Sequence, residues 1–220
     1  EDILGDKMTA FAPNTIGIPY FKKDRECNME IIKQLYDINR LFENVDDFGP
    51  AYESFLKVSN VELGYRGLEG RLSEFFEDVR QTAICIATRG QAGSGDIQFF
   101  MSGIKRVKSF MYQEKYQIEE AITDASRAAY LATCFEKGIL EIEKYPKENP
   151  KVVLDMSISE ILPTKLRKLR NVIPEAYYYW AKVDELLKGV SKHIRLPWKC
   201  WKRSSRLMTN SDLRSMKTKH

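Results

Sequence analysis

Histidine is nearly absent from these 220 residues: only His193 and His220 occur, both near the end. A histidine-rich metal site or a Ser-His-Asp arrangement therefore has almost nothing to use. Cysteine is also scarce. Cys27, Cys85, Cys134 and Cys200 are scattered without C-x-x-C spacing, which excludes a zinc ribbon and a dense disulfide frame and fits a reducing cytosol. Cys85 and Cys134 stand in apolar helical stretches and read as small core residues. No apolar run approaches the roughly 18 to 20 residues of a membrane-spanning helix, and no secretory apolar region stands at the start. A cytoplasmic protein without membrane contact is expected. The first residue is Glu1 and a helix-like pattern begins at once, so the chain reads as a piece of something longer.

Hydrophobic residues make up 43% and charged residues 30%, an ordinary balance that argues against global disorder. The net charge of +4 hides an asymmetry. Residues 191–220 carry a net +8 and the first 190 residues a net −4. Such a split marks a mildly acidic body with a basic tail, and charge alone does not make the body a nucleic-acid binder. In the tail, Trp198 and Trp201 stand among Lys199, Lys202 and Arg203. That mixture resembles an RNA-contacting or membrane-surface segment, and equally a disordered terminus.

Helical periodicity dominates the body, and a mainly α multi-helix bundle is expected. Ile31, Leu35, Ile38, Phe42 and Val45 share one face of a run over 29–45. Leu72, Phe75, Phe76, Val79, Ala83 and Ile86 do so over 72–86. Ile97, Phe100, Met101, Ile104, Val107 and Met111 mark 97–111, and Ile118, Ala121, Ile122, Ala125, Ala129, Ala132, Phe135 and Ile139 mark 118–139. The short apolar stretch 152–154 is left unassigned. Breaks fall at Pro13 to Pro19, Gly49-Pro50, Gly90 to Gly95, Pro146 to Pro150 and Pro163, where proline removes a donor or glycine loosens the chain. Tyr177-Tyr178-Tyr179-Trp180 would point all round a helix, so most of them are expected to pack rather than to form a base-stacking platform.

Two polar residues stand out against this pattern. In the first segment Ile3, Leu4, Met8 and Phe11 define an apolar face, and Lys7 falls inside it. An ammonium there must snorkel, pair with a carboxylate or face a ligand. In the next helix Asp37 lies at the border of the apolar stripe, where it can face a groove or pair with Lys33 or Arg40. Read singly, each is a solvated or boundary residue.

Read together, Asp2-x4-Lys7-x2-Ala10, a loop, and Lys33-x3-Asp37-Ile38 closely resemble the later motifs of the AbiEii/AbiGii family of nucleotidyltransferase toxins. The resemblance is most specific over residues 1–45 and looser to about 187. It implies a nucleotide-binding role for Lys7 and a catalytic role for Asp37. It further implies transfer of a nucleoside monophosphate from a triphosphate to an acceptor such as tRNA, with a cognate antitoxin and a role in growth arrest or phage defence. Lys33-Gln34 departs from the Arg/Lys-Asp found in the family at that point. The division implied is the end of a nucleotidyltransferase domain over 1–45, a helical bundle over 46–190 and a disordered basic tail over 191–220.

The metal-binding motifs of that superfamily, a Gly-Ser turn followed by an Asp-x-Asp strand, are missing. Gly93-Ser94-Gly95-Asp96 has a turn-like sequence, but no Asp-x-Asp follows it or occurs elsewhere. Glu141-Ile142-Glu143 is expected to be a solvated helical end. Magnesium and the nucleoside triphosphate thus belong to a complete enzyme whose N-terminal half supplies the carboxylates. No metal ligand is assigned here, and the chain alone is expected to bind no cofactor and to be inactive. Gln91 to Asp96 lacks the lysine and preceding strand of a phosphate loop and reads as a flexible connection. No arginine precedes His193 at the spacing of an Arg-x4-6-His ribonuclease. A non-catalytic helical module that binds an antitoxin or RNA remains the alternative.

Overall fold

The computed structural model describes residues 2–108 and 116–189. Eight α-helices occur among them: α1 Asp2–Ala10, α2 Asn28–Asn44, α3 Gly49–Tyr65, α4 Leu72–Ala87, α5 Ile97–Val107, α6 Ile118–Lys137, α7 Leu169–Val172 and α8 Pro174–Leu187. One antiparallel hairpin, β1 Phe21–Lys22 with β2 Arg25–Glu26, is the sole sheet among the described residues. The protein is mainly helical, as its periodicity predicts.

The helices begin and end where local chemistry directs. The Asp96 carboxylate accepts from the Gln98 N–H at 2.8 Å and caps α5. At α6 the Glu120 carboxylate reaches back 2.8 Å to the Gln117 N–H. Gly138, with φ 67°, ends α6 in the left-handed turn that glycine adopts without strain.

Helix α6 is the axis of the bundle, packed against α4, α8 and α2. Its alanines Ala121, Ala125, Ala128, Ala129 and Ala132 are fully buried, and such short side chains let neighbouring helices approach closely. Tyr177, Tyr178, Tyr179 and Trp180 of α8 are all buried. The ring of Tyr179 meets Phe42 of α2 edge-on at 5.7 Å and Tyr130 of α6 at 5.6 Å. The four aromatics pack, as expected of residues that point all round a helix. One hydrophobic cluster runs from Leu4 to Leu186.

Several details differ from the sequence reading. Ile3 is 59% exposed, and the buried face of α1 is Leu4, Met8 and Phe11. Met101 is exposed, and Phe99 takes its place in the core, a shift of two positions that turns the buried stripe toward the hairpin. Helix α3 carries no marked periodicity because its buried residues Ala51, Phe55, Ser59 and Leu63 form a single narrow row. Gly49-Pro50, expected as a break, is its N-terminus, a position where proline lacks only a hydrogen that the first turn leaves unused. Glu141 to Glu143 lies beyond α6 in a segment without regular structure, not on a helical end. Residues 152–154 fall in a 3-10 turn, Pro150–Leu154.

The connection between α4 and α5 is tighter than a flexible loop. The Ser94 N–H bonds the Gln81 carbonyl at 3.0 Å and the Thr88 hydroxyl bonds the Ala92 carbonyl at 3.1 Å, so the segment folds back on α4. Among the described residues no helix is long and apolar enough to cross a membrane. The basic tail and residues 109–111 of the 97–111 run lie outside the described residues.

Candidate functional site

Helix α1 lies between α2 and α3. It reaches α3 closely because Gly5 has no side chain: a Cβ there would lie 2.3 Å from the Ala51 carbonyl oxygen and 2.4 Å from the Phe55 nitrogen. The chain then turns through Pro13 to Pro19, a loop held by Asp78 of α4. One Asp78 oxygen accepts from the Asn14 N–H and the Thr15 hydroxyl, both at 2.9 Å. The other accepts from the Asn14 amide at 2.7 Å and the Thr82 hydroxyl at 3.2 Å. Arg66, just past α3, donates to the Thr15 and Gly17 carbonyls at 2.9 and 3.1 Å. The loop thus fixes where α1 ends and where α2 can start.

This frame brings Lys7 and Asp37 together. Lys7 Nζ lies 2.9 Å from Asp37 Oδ2, with the two side chains 24% and 25% exposed. Of the partners the sequence allowed Asp37, Lys33 and Arg40, neither holds it in the way Lys7 does. Arg40 lies over the Tyr36 ring at 5.7 Å. An ion pair that solvent still reaches can exchange partners: a phosphate oxygen can compete for the ammonium, and the carboxylate that loses it can take a proton.

Behind α2 is a polar network that no local sequence signal singles out. Arg127 of α6 is buried and bonds Asn39 of α2, Glu175 of α8 and, at 2.6 Å, Glu43 of α2. Burial works against the Glu43 carboxylate, but Arg127 and Lys147 hold it below its usual range. One turn earlier Asp124 is buried and accepts from the Tyr116 hydroxyl at 2.8 Å. Burial pushes the Asp124 carboxyl up to about 8, although Tyr116 and Arg127 pull the other way. Tyr116 in turn meets Tyr36 edge-on at 5.6 Å. Local sequence could not reveal these residues, because a polar residue on a helix buried all round looks the same as one on a solvated face.

Asp78 was missed for the same reason: in Glu77-Asp78-Val79 it reads as one more surface acid. Among the described residues no group of three or more His, Cys, Asp or Glu side chains could hold a metal ion. Asp37 is one carboxylate facing a lysine. It does not fit a magnesium site by itself, and no metal-dependent step is assigned to it. Compared with models of protein families, with curated proteins and with solved structures, the chain matches none.

Proposed function

We propose that the Lys7–Asp37 pair is the nucleotide-facing part of a nucleotidyltransferase of the AbiEii/AbiGii toxin type. The observation that carries the reading is the 2.9 Å pairing of Lys7 and Asp37, the two residues singled out by the motif, across two packed helices. In the reaction an acceptor hydroxyl oxygen bonds the α-phosphorus of a nucleoside triphosphate and the bond to pyrophosphate breaks. Lys7 exchanges its carboxylate for a phosphate oxygen and stabilises charge on the departing pyrophosphate. Asp37, released, orients the acceptor hydroxyl or takes its proton. Divalent cations for this reaction would need further carboxylates, which this reading assigns to a segment bearing a Gly-Ser turn and Asp-x-Asp. A tRNA acceptor, a cognate antitoxin and a cytoplasmic setting belong to the same proposal.

The absence of a metal-ligand group among the described residues favours a second reading, a non-catalytic helical module that binds an antitoxin. Labelled triphosphates with magnesium and total tRNA separate the two. The 220-residue chain alone should transfer nothing, and the chain joined to an upstream segment with those motifs should transfer label. Lys7→Ala and Asp37→Ala, shown to be folded, should each lower transfer at least about ten-fold, near 1.4 kcal/mol of barrier. Unchanged transfer in both variants would leave the interaction module as the better account.

A further inference from the structure

The β1–β2 hairpin concentrates positive charge on a backbone ill suited to it. Its cross-strand partners at the tip are Lys22 and Arg25, and like charges directly opposite each other are destabilising. Lys23, in the turn between them, has φ 54°, a left-handed conformation that favours glycine or asparagine. All six residues from 21 to 26 are exposed. Lys22 and Lys23 thus stand exposed where neither the strand pairing nor the turn favours a cation, and a local rule broken without structural gain points to a ligand.

Three acids stand beside the hairpin's three cations. Asp24 sits in the turn, Glu30 is engaged by Arg25 at 2.6 Å, and Glu26 accepts from the Asn28 amide at 3.0 Å. Arg106 of α5 donates to that same Asn28 at 3.0 Å, with Lys105 beside it, so α5 adds its own cations next to the hairpin. This face is basic on a body whose first 190 residues sum to −4. It also carries an aromatic step: Tyr20 meets Phe99 edge-on at 5.3 Å, and Phe21 lies against Phe99 at 5.9 Å while remaining 58% exposed.

From the hairpin the ridge of α2 leads to the Lys7–Asp37 pair. Glu30, Lys33 and Asp37 follow one another at helical spacing. The nine helical steps from Asn28 to Asp37 span about 13 Å at 1.5 Å per residue, about four stacked nucleotides. We propose that the hairpin binds a single-stranded nucleic acid, its phosphates on Lys22, Lys23 and Arg25 and a base on Phe21, and so leads the strand's end along α2 to Asp37. The direction of the strand rests on the nucleotidyltransferase reading, whereas the binding itself does not.

The test is fluorescence anisotropy of a labelled 20-nucleotide single-stranded RNA with the 220-residue chain, between 50 and 200 mM salt. Lys22→Glu/Lys23→Glu/Arg25→Glu should weaken binding at least about ten-fold and lower the salt slope by about 2. The charge-matched control Lys151→Glu/Lys165→Glu/Lys168→Glu should change it less than about three-fold. Phe21→Ala should weaken the single strand about ten-fold and a duplex little. Circular dichroism melts check that each variant is folded. Equal losses in the hairpin and control variants, wild-type binding in the hairpin variant, or no RNA binding at all would overturn the proposal. So would hairpin-dependent binding to phosphatidylserine vesicles without RNA binding. If RNA binds through the hairpin while the joined enzyme transfers nothing, the docking site stands and the transferase reading falls.

Discussion

Lys7 Nζ and Asp37 Oδ2 lie 2.9 Å apart with each side chain about three-quarters covered, and each belongs to a different helix of one packed layer. An ion pair that solvent still reaches contributes about 0 to 1 kcal/mol. Lys7→Ala and Asp37→Ala should each therefore change unfolding free energy by no more than about 1 kcal/mol in urea titrations. A loss of several kcal/mol would make the pair a structural clamp instead of a site.

The approach of α1 to α3 depends on Gly5. A methyl group there meets backbone atoms of Ala51 and Phe55, which cannot swing aside. Gly5→Ala should destabilise by about 1 to 3 kcal/mol even though alanine favours the helix. Thermal melts check the loss, and an unchanged or raised melting temperature contradicts the packing described here.

Asp78 accepts four hydrogen bonds from the α1–α2 loop and its own helix. Asp78→Ala leaves the Asn14 N–H, its amide and two hydroxyls to find other partners, at a cost of about 2 to 4 kcal/mol. Because the loop sets the register of α1 against α2, amide exchange over residues 3 to 17 should rise more than over α6. Uniform exchange changes would place the role of Asp78 elsewhere.

Much of this fold was legible in the sequence because apolar spacing is a local signal. Leu35, Ile38 and Phe42, or Phe75, Val79 and Ala83, announce their helices unaided, and Lys7 among Leu4, Met8 and Phe11 announces itself as a polar residue on a buried face. What could not be read depends on partners distant in the chain. Asp78 needs Asn14, Arg127 needs Glu43 and Glu175, and nothing near any of them says so. Ile3 was misplaced because composition cannot tell which edge of an apolar stripe its neighbours cover. Helix α3 was missed because one row of contacts suffices at the margin of a bundle.

Asp124 gives a pH signature. Its folded carboxyl titrates at about 8, raised by burial, whereas an unfolded aspartate titrates near 3.9. Between these values the folded state holds a proton that the unfolded state has lost, so this residue's contribution to stability declines as pH rises from about 4 to about 8. Carboxylates held low, such as Asp184, which burial opposes but Lys188 and Ser159 stabilise, act the other way and are lost as pH falls. The difference between wild type and Asp124→Asn isolates the first effect. Wild type minus variant should fall by a few kcal/mol across that range in urea titrations at fixed pH, and a flat difference contradicts a protonated Asp124.

The central claim is that the Lys7 ammonium is held in reserve for a triphosphate. The direct measurement is chemical-shift titration of lysine side-chain ammonium groups in the 15N-lysine-labelled chain joined to an upstream segment bearing the Gly-Ser and Asp-x-Asp motifs, with magnesium and each of the four nucleoside triphosphates. At least one nucleotide should shift the Lys7 signal in a saturable way, with that signal assigned by its loss in Lys7→Ala. Lys7→Ala should weaken the affinity about ten-fold, and Asp37→Asn, which frees the ammonium from its competitor, should maintain or raise it. A Lys7 signal unmoved by all four nucleotides, or equal affinity with and without Lys7, would contradict the account.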